Sequence, residues 1–106
     1  MAKVEIEAGV CGRKATVDAR MDGDEVVLAI ESECPGVQKL AAELTRVDPF
    51  REISYRGEGP LTLRLAAKHC QHPACPVPAG IIKAVEVAAG LALPRDAAIR
   101  VSDEGQ

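Results

Sequence analysis

At 106 residues the chain makes one domain, long enough to bury an aliphatic core without disulfide staples. Phe50 and Tyr55 are its only aromatic residues, and its formal charge of −3 is spread over interspersed signs, so it has neither a basic footprint nor a stacking platform for nucleic acid. No apolar run approaches the roughly 20 residues that cross a bilayer. The residues after Met1 enter a strand pattern with no signal-peptide core, so a soluble cytoplasmic protein is expected.

Residues 3–8 alternate, with Val4, Ile6 and Ala8 on one face and Lys3, Glu5 and Glu7 on the other. Residues 14–20 do the same, Ala15, Val17 and Ala19 against Lys14, Thr16, Asp18 and Arg20. A period of two marks a half-buried strand. Between them Gly9 to Arg13 form a glycine-flanked hairpin loop that carries Cys11. Asp22-Gly23 signals a tight turn into 25–31, whose apolar run predicts a strand that is central or covered on both faces. Connections this short make the three strands an antiparallel meander.

Cys34-Pro35-Gly36 then introduces Val37, Leu40, Ala41, Leu44 and Val47, the apolar stripe of an amphipathic helix. Pro35 suits its first position and Asp48-Pro49 stops it. Residues 50–59 are polar and read as a loop, with a short extended piece at Ile53–Tyr55. In 60–70, Leu61, Leu63 and Leu65 alternate as in a strand, but Pro60 followed by leucine and alanine favours a helix, which is the expectation. Residues 77–90 predict a further helix, with Ile81, Ile82, Val85 and Ala89 inward, Gly90 as its cap and Pro94 blocking continuation. A last short strand is expected at 97–102, and residues 103–106 should fray.

The order β-β-β-α-α-α-β predicts an α+β two-layer domain. Its three-stranded meander and C-terminal strand form one antiparallel sheet under two to three helices. The expected core is Val4, Ile6, Val17, Leu28, Ile30, Leu40, Leu44, Ile82, Val85 and Ile99.

The four cysteines, Cys11, Cys34, Cys70 and Cys75, each fall where a loop meets an element. In a reducing compartment, clustered cysteines point to metal binding or thiol chemistry rather than to disulfides. Cys34-Pro35 and Cys75-Pro76 place thiols just before helices. There the unpaired N–H groups and about half a positive charge favour thiolate. Cys70, at the end of a helix, lacks that support and needs a metal or a neighbouring His69. The run His69-Cys70-x-His72-x-x-Cys75 packs four possible ligands into a short stretch, although the paired knuckles of a zinc ribbon and the repeated spacing of a ferredoxin are missing. The candidate metal ligands are therefore Cys11, Cys34, Cys70 and Cys75, with His69 or His72 as substitutes.

Cys11-Gly12 between two strands, Cys34 after the third strand, and His69-Cys70 before a helix containing Lys83-Ala84 together resemble the U-type iron–sulfur cluster scaffold family, including the N-terminal domain of the nitrogen-fixation scaffold. That resemblance implies an iron–sulfur cluster or zinc held on three cysteines and a nearby Asp or His. Arg13 stands where the family has Asp, and Cys75 is additional. The stretches 69–78 and 83–94 are also similar to H-C-x-H-x-A-C-P-V-P and K-A-x-E-V-A-x-G-L-A-L-P in a family of short prokaryotic proteins of unknown function, a likeness that implies no activity.

The leading expectation is thus a cysteine-ligated metal or iron–sulfur protein, a scaffold or carrier, with zinc, a cluster or Cu(I) as cargo. One alternative is a thiol redox or cysteine-nucleophile enzyme using Cys34 or Cys75 with a histidine base. Another is a small interaction module with buried structural cysteines. No Ser/His/Asp pattern is present, Glu31, Glu33 and Glu43 read as solvated faces, and Gly57-Glu58-Gly59 leads into no phosphate loop. The expected partners are a metal ion or cluster and other proteins, with the chain a monomer or homodimer and neither nucleic acid nor membrane involved.

Overall fold

Alternation sets the strand register. In the computed structural model, which describes residues 1–105, β1 (Ala2–Glu7) pairs antiparallel with β2 (Lys14–Asp22), placing Val4 opposite Val17 and Ile6 opposite Ala15. β2 pairs antiparallel with β3 (Glu25–Ser32), placing Val17 opposite Ile30 and Ala19 opposite Leu28. The turn between them carries Gly23 at φ +65°, a conformation that costs glycine little and other residues more. Ala2, Ile6, Ala15, Val17, Ala19, Val26 and Leu28 are buried on one face, while Lys3, Glu5, Glu7 and Arg20 are exposed on the other. A slip of one residue would exchange these faces, so the pattern dictates the pairing.

The helices cover the buried face of the sheet. α1 (Pro35–Glu43) packs on β3 and on α3 (Leu61–His69), and α4 (Val77–Ala88) lies over β1 and β2. The end of α4 is closed as expected. Gly90 takes φ +74°, its N–H donates to the Val87 carbonyl at 3.1 Å, and the Leu91 N–H donates to Glu86 at 2.8 Å. The α+β class, the meander and the helices at 61–69 and 77–88 agree with the sequence expectation.

Three expectations are corrected. First, α1 ends at Glu43, and Arg46–Val47 form a strand, β4, that pairs antiparallel with β3 and completes the sheet order β1-β2-β3-β4. Val47 is buried opposite Val26, and the Thr45 carbonyl accepts the Leu28 N–H at 2.9 Å. Another helical turn would leave that stretch of the β3 edge unpaired, so the ladder prevails.

Second, residues 97–102 form no strand. Ile99 and Val101 stand 81% and 91% exposed, so Ile99 is not part of the core. The β3 edge they could have joined is occupied by β4, and the segment does not meet the β1 edge. Asp103 and Glu104 are likewise exposed and irregular, and Gln106 lies outside the described residues. Third, 50–59 holds no extended piece at Ile53–Tyr55. Instead Pro49–Glu52 make a single helical turn, α2, capped by the Asp48 carboxylate, which accepts the Phe50 N–H at 3.0 Å.

Ile6, Val17, Leu28, Leu40, Leu44 and Val85 are buried as expected, and Val4, Ile30 and Ile82 are half-buried. The inward face of α4 is centred on Ile81, Ala84 and Val85 instead of Ile82. Glu52, also in the interior at 2% exposure, reaches the start of α3, where its carboxylate accepts the N–H groups of Leu61 and Thr62, each at 2.9 Å, and the Thr62 hydroxyl. Pro60, which precedes that helix, offers no capping side chain. A carboxylate from α2 therefore satisfies two of the orphan donors of α3. Among the described residues, no helix is long and apolar enough to cross a membrane.

Candidate thiolate site

Cys34, Cys70 and Cys75 gather near the start of α1 and the end of α3, and Cys11 lies apart from them on a loop. Cys11 sits exposed on the β1–β2 loop, which Gly9 and Gly12 turn with φ of +94° and +70°. Cys34 follows β3 and occupies the N-cap of α1 in extended conformation. Its N–H donates to the Ser32 hydroxyl at 3.1 Å, which in turn donates to the Lys14 carbonyl at 2.8 Å, tying this corner to the start of β2. Cys70 terminates α3, with its N–H donating to Ala66 at 2.8 Å. Cys75 lies in the turn before α4, and its N–H donates to the His72 carbonyl at 3.1 Å. The N-cap of α4 is Pro76, so Cys75 stands one residue outside the helix rather than at its cap.

Gly36 brings two of these elements into backbone contact. A Cβ at that position would lie 2.7 Å from the His69 carbonyl oxygen and 3.4 Å from the Cys70 Cα. Only a residue without a side chain lets the start of α1 meet the end of α3 so closely. That contact sets Cys34 beside Cys70.

The thiols differ electrostatically. Cys34 makes no full capping hydrogen bond through its side chain, but its sulfur faces the N–H of Val37 and, more weakly, that of Gly36. These groups, with the Arg13 guanidinium nearby, hold the Cys34 thiol below its ordinary value against an opposing effect of burial. Burial pushes the Cys70 thiol up, and the neighbouring Cys75 and Cys34 sulfurs push it further. Three sulfurs from three separate segments thus lie close enough to repel when ionised. All three cysteines are half-buried against the hydrophobic core, and all four cysteines are free.

The histidines are disposed differently. His69 Nε2 contacts the Glu43 carboxylate on α1, with Lys68 Nζ 3.4 Å from the same group. The His69 contact chiefly holds Glu43 below its usual carboxylate range, so Glu43 is a partner of His69 rather than a merely solvated charge. His72 is exposed in the turn before Cys75. Among the described residues, no group of three or more His, Cys, Asp and Glu side chains is arranged to hold a metal ion as it stands. The structure brings Cys34, Cys70 and Cys75 into one neighbourhood, leaves Cys11 and His72 exposed, and engages His69 with Glu43.

Two contributors to this corner escape a reading of the sequence. Arg13 departs from the scaffold-family pattern, yet it supplies positive charge to Cys34. Gly36 looks like an ordinary residue of the first helical turn, and nothing near it in the chain announces the contact with His69.

The contrast between the thiols has a measurable result. As pH rises through the thiol range, alkylation at Cys34 is expected to set in before alkylation at Cys70, because a lowered thiol is already thiolate where a raised one is still protonated. Arg13→Ala should move the onset at Cys34 part of the way upward, since the N–H groups of Val37 and Gly36 remain in place. Peptide mass spectrometry after timed alkylation reads both. Equal onsets at Cys34 and Cys70 would contradict the assigned environments.

No curated protein and no solved structure matches the chain. The family of unknown function DUF6951 has a model that matches residues 2–101, a span that holds the whole sheet, all four helices and all four cysteines, and the chain belongs to that family.

Proposed function

We propose that this protein binds a soft metal ion or a small iron–sulfur cluster through Cys34, Cys70 and Cys75, with Cys11 closing the site from its glycine-turned loop. The observation that carries this reading is the convergence of cysteines from three segments: the backbone contact at Gly36 sets Cys34 beside Cys70, and the Cys75 and Cys34 sulfurs add to burial in raising the Cys70 thiol. A thiophilic cation among them converts that repulsion into ligation and drives the last proton off. The N–H groups at the start of α1 and the Arg13 guanidinium would offset the net negative charge of a thiolate-bound centre. Four independent buried thiols would require neither the convergence nor the charge partner.

Zinc bound by all four cysteines would be a structural site, and a labile cluster would fit the scaffold or carrier role that the resemblance implies. His72, exposed beside Cys75, is the substitute fourth ligand. The test is anaerobic purification followed by elemental analysis and a visible spectrum, repeated on single Cys→Ser variants. Cys34→Ser, Cys70→Ser and Cys75→Ser should each lose most of the bound metal, because a site of this size loses most of its affinity with one ligand. Cys11→Ser should do the same unless His72 holds the fourth position. Full retention in any two of the first three would sink the reading.

A second reading is favoured by one specific contrast. A lowered thiol at Cys34 beside a raised one at Cys70 also suits an attacking and a resolving cysteine in thiol–disulfide exchange. Rapid, single alkylation of Cys34 in metal-free and chelator-free protein alike would favour it over metal binding.

A further inference from the structure

The chain carries two halves of a strand pairing that do not meet within one molecule. One is the outer edge of β1, the terminal strand of the sheet, where the described residues form no backbone hydrogen bond outside the β1–β2 ladder between Ala2 and Glu7. It holds no proline, and its charged residues Lys3, Glu5 and Glu7 are all exposed on the solvent face, none of them turned into the core. The other half is the segment 97–102, which has the alternation of a strand, falls inside the family's matched span as far as Val101, and leaves Ile99 and Val101 81% and 91% exposed. The molecule is drawn out to 51 Å along one axis against 28 and 27 Å along the others, as a segment lying off the body requires.

We infer that 97–102 of one copy adds as a fifth strand to the β1 edge of a second copy, reciprocally, so that this chain forms a two-fold homodimer by strand exchange. Side-chain chemistry sets the register. With Arg100 opposite Glu5, the guanidinium meets a carboxylate on the solvent face. In either strand direction, Ile99 and Val101 then lie beside Val4 and Ile6 on the face under α4. Val4, now half-buried at the rim of the core, would be covered by that addition. A one-residue shift would turn Ile99 and Val101 to solvent and Arg100 into the core, so the alternation selects this pairing.

Sedimentation equilibrium of the full chain with its thiols reduced tests the inference, since the reductant removes disulfide-linked pairs. The expected mass is twice the 11.2 kDa of one chain. The double variant Ile99→Asp, Val101→Asp should halve it with the helical far-ultraviolet circular dichroism retained and only the strand contribution of 97–102 lost, because both side chains lie in solvent within a single copy. Glu5→Arg and Arg100→Glu should each weaken the dimer at least several-fold, and their combination should restore it. Hydrogen exchange at 97–102 should slow as protein concentration rises. Three results would overturn the inference: a monomer at every concentration, a dimer that survives the double aspartate variant, or protection of 97–102 independent of concentration. The last would place the segment on the β1 edge of its own chain.

Discussion

Replacing Glu52 with alanine is expected to cost about 2–3 kcal/mol of folding stability, the scale of leaving buried donors unsatisfied at a helix start. The Glu52 carboxylate, 2% exposed, accepts the N–H groups of Leu61 and Thr62 and the Thr62 hydroxyl. Hydrogen bonds to a charged group contribute on the order of 1.5–3 kcal/mol each, and alanine would leave those donors unsatisfied in an apolar setting. Pro60 cannot take over, because it offers no capping side chain. Glu52→Gln keeps one acceptor oxygen and should fall between the two. Urea unfolding of the three proteins measures the series. A loss below about 1 kcal/mol for Glu52→Ala would mean that α3 starts without this cap.

Gly36→Ala is expected to destabilise the fold and to disrupt the thiolate corner together. In an open helix the change would gain roughly 1 kcal/mol from propensity. Here the new Cβ would sit 2.7 Å from the His69 carbonyl oxygen, a backbone atom that cannot swing aside as the tip of a side chain can. Separating α1 from α3 should cost on the order of 1–3 kcal/mol, the usual range for overpacking. The same separation moves Cys34 away from Cys70. The Cys70 thiol, raised first by burial and then by its neighbouring sulfurs, should then titrate closer to an ordinary cysteine, and on the metal reading bound metal should fall with it. Denaturant midpoint and metal content, measured on one preparation, check both effects. Unchanged metal with lowered stability would detach the α1–α3 contact from the site.

Much of this fold is legible in the sequence where one local period dominates. Val4 and Ile6 against Lys3, Glu5 and Glu7 leave a single register for β1, and Gly90 ends α4 with the bonds its position implies. Reading fails where two periods coincide. Leu40, Leu44 and Val47 have helical spacing, yet Val47 belongs to a two-residue strand too short to show a period of its own. The segment 97–102 alternates clearly, but alternation reports a capacity to pair and not the presence of an edge.

The site divides in the same way. Cysteines placed at loop–element junctions are visible in the chain, and so is the cap position of Cys34. Its charge partner is not, because Arg13 reaches Cys34 only through the β2–β3 pairing. Likewise nothing local marks Glu43 as the partner of His69, 26 residues away. Glu52 reads as a loop charge because burial of a carboxylate leaves no mark on its neighbours in sequence.

Site-resolved alkylation of anaerobically purified protein, with and without a chelator, tests the metal reading most directly. Cys34, Cys70 and Cys75 should be protected together and released together when the chelator is added, since ligation removes all three sulfurs from reaction at once. Cys34 labelled at the same rate in both samples, with Cys70 and Cys75 also unaffected by chelation, would contradict the account.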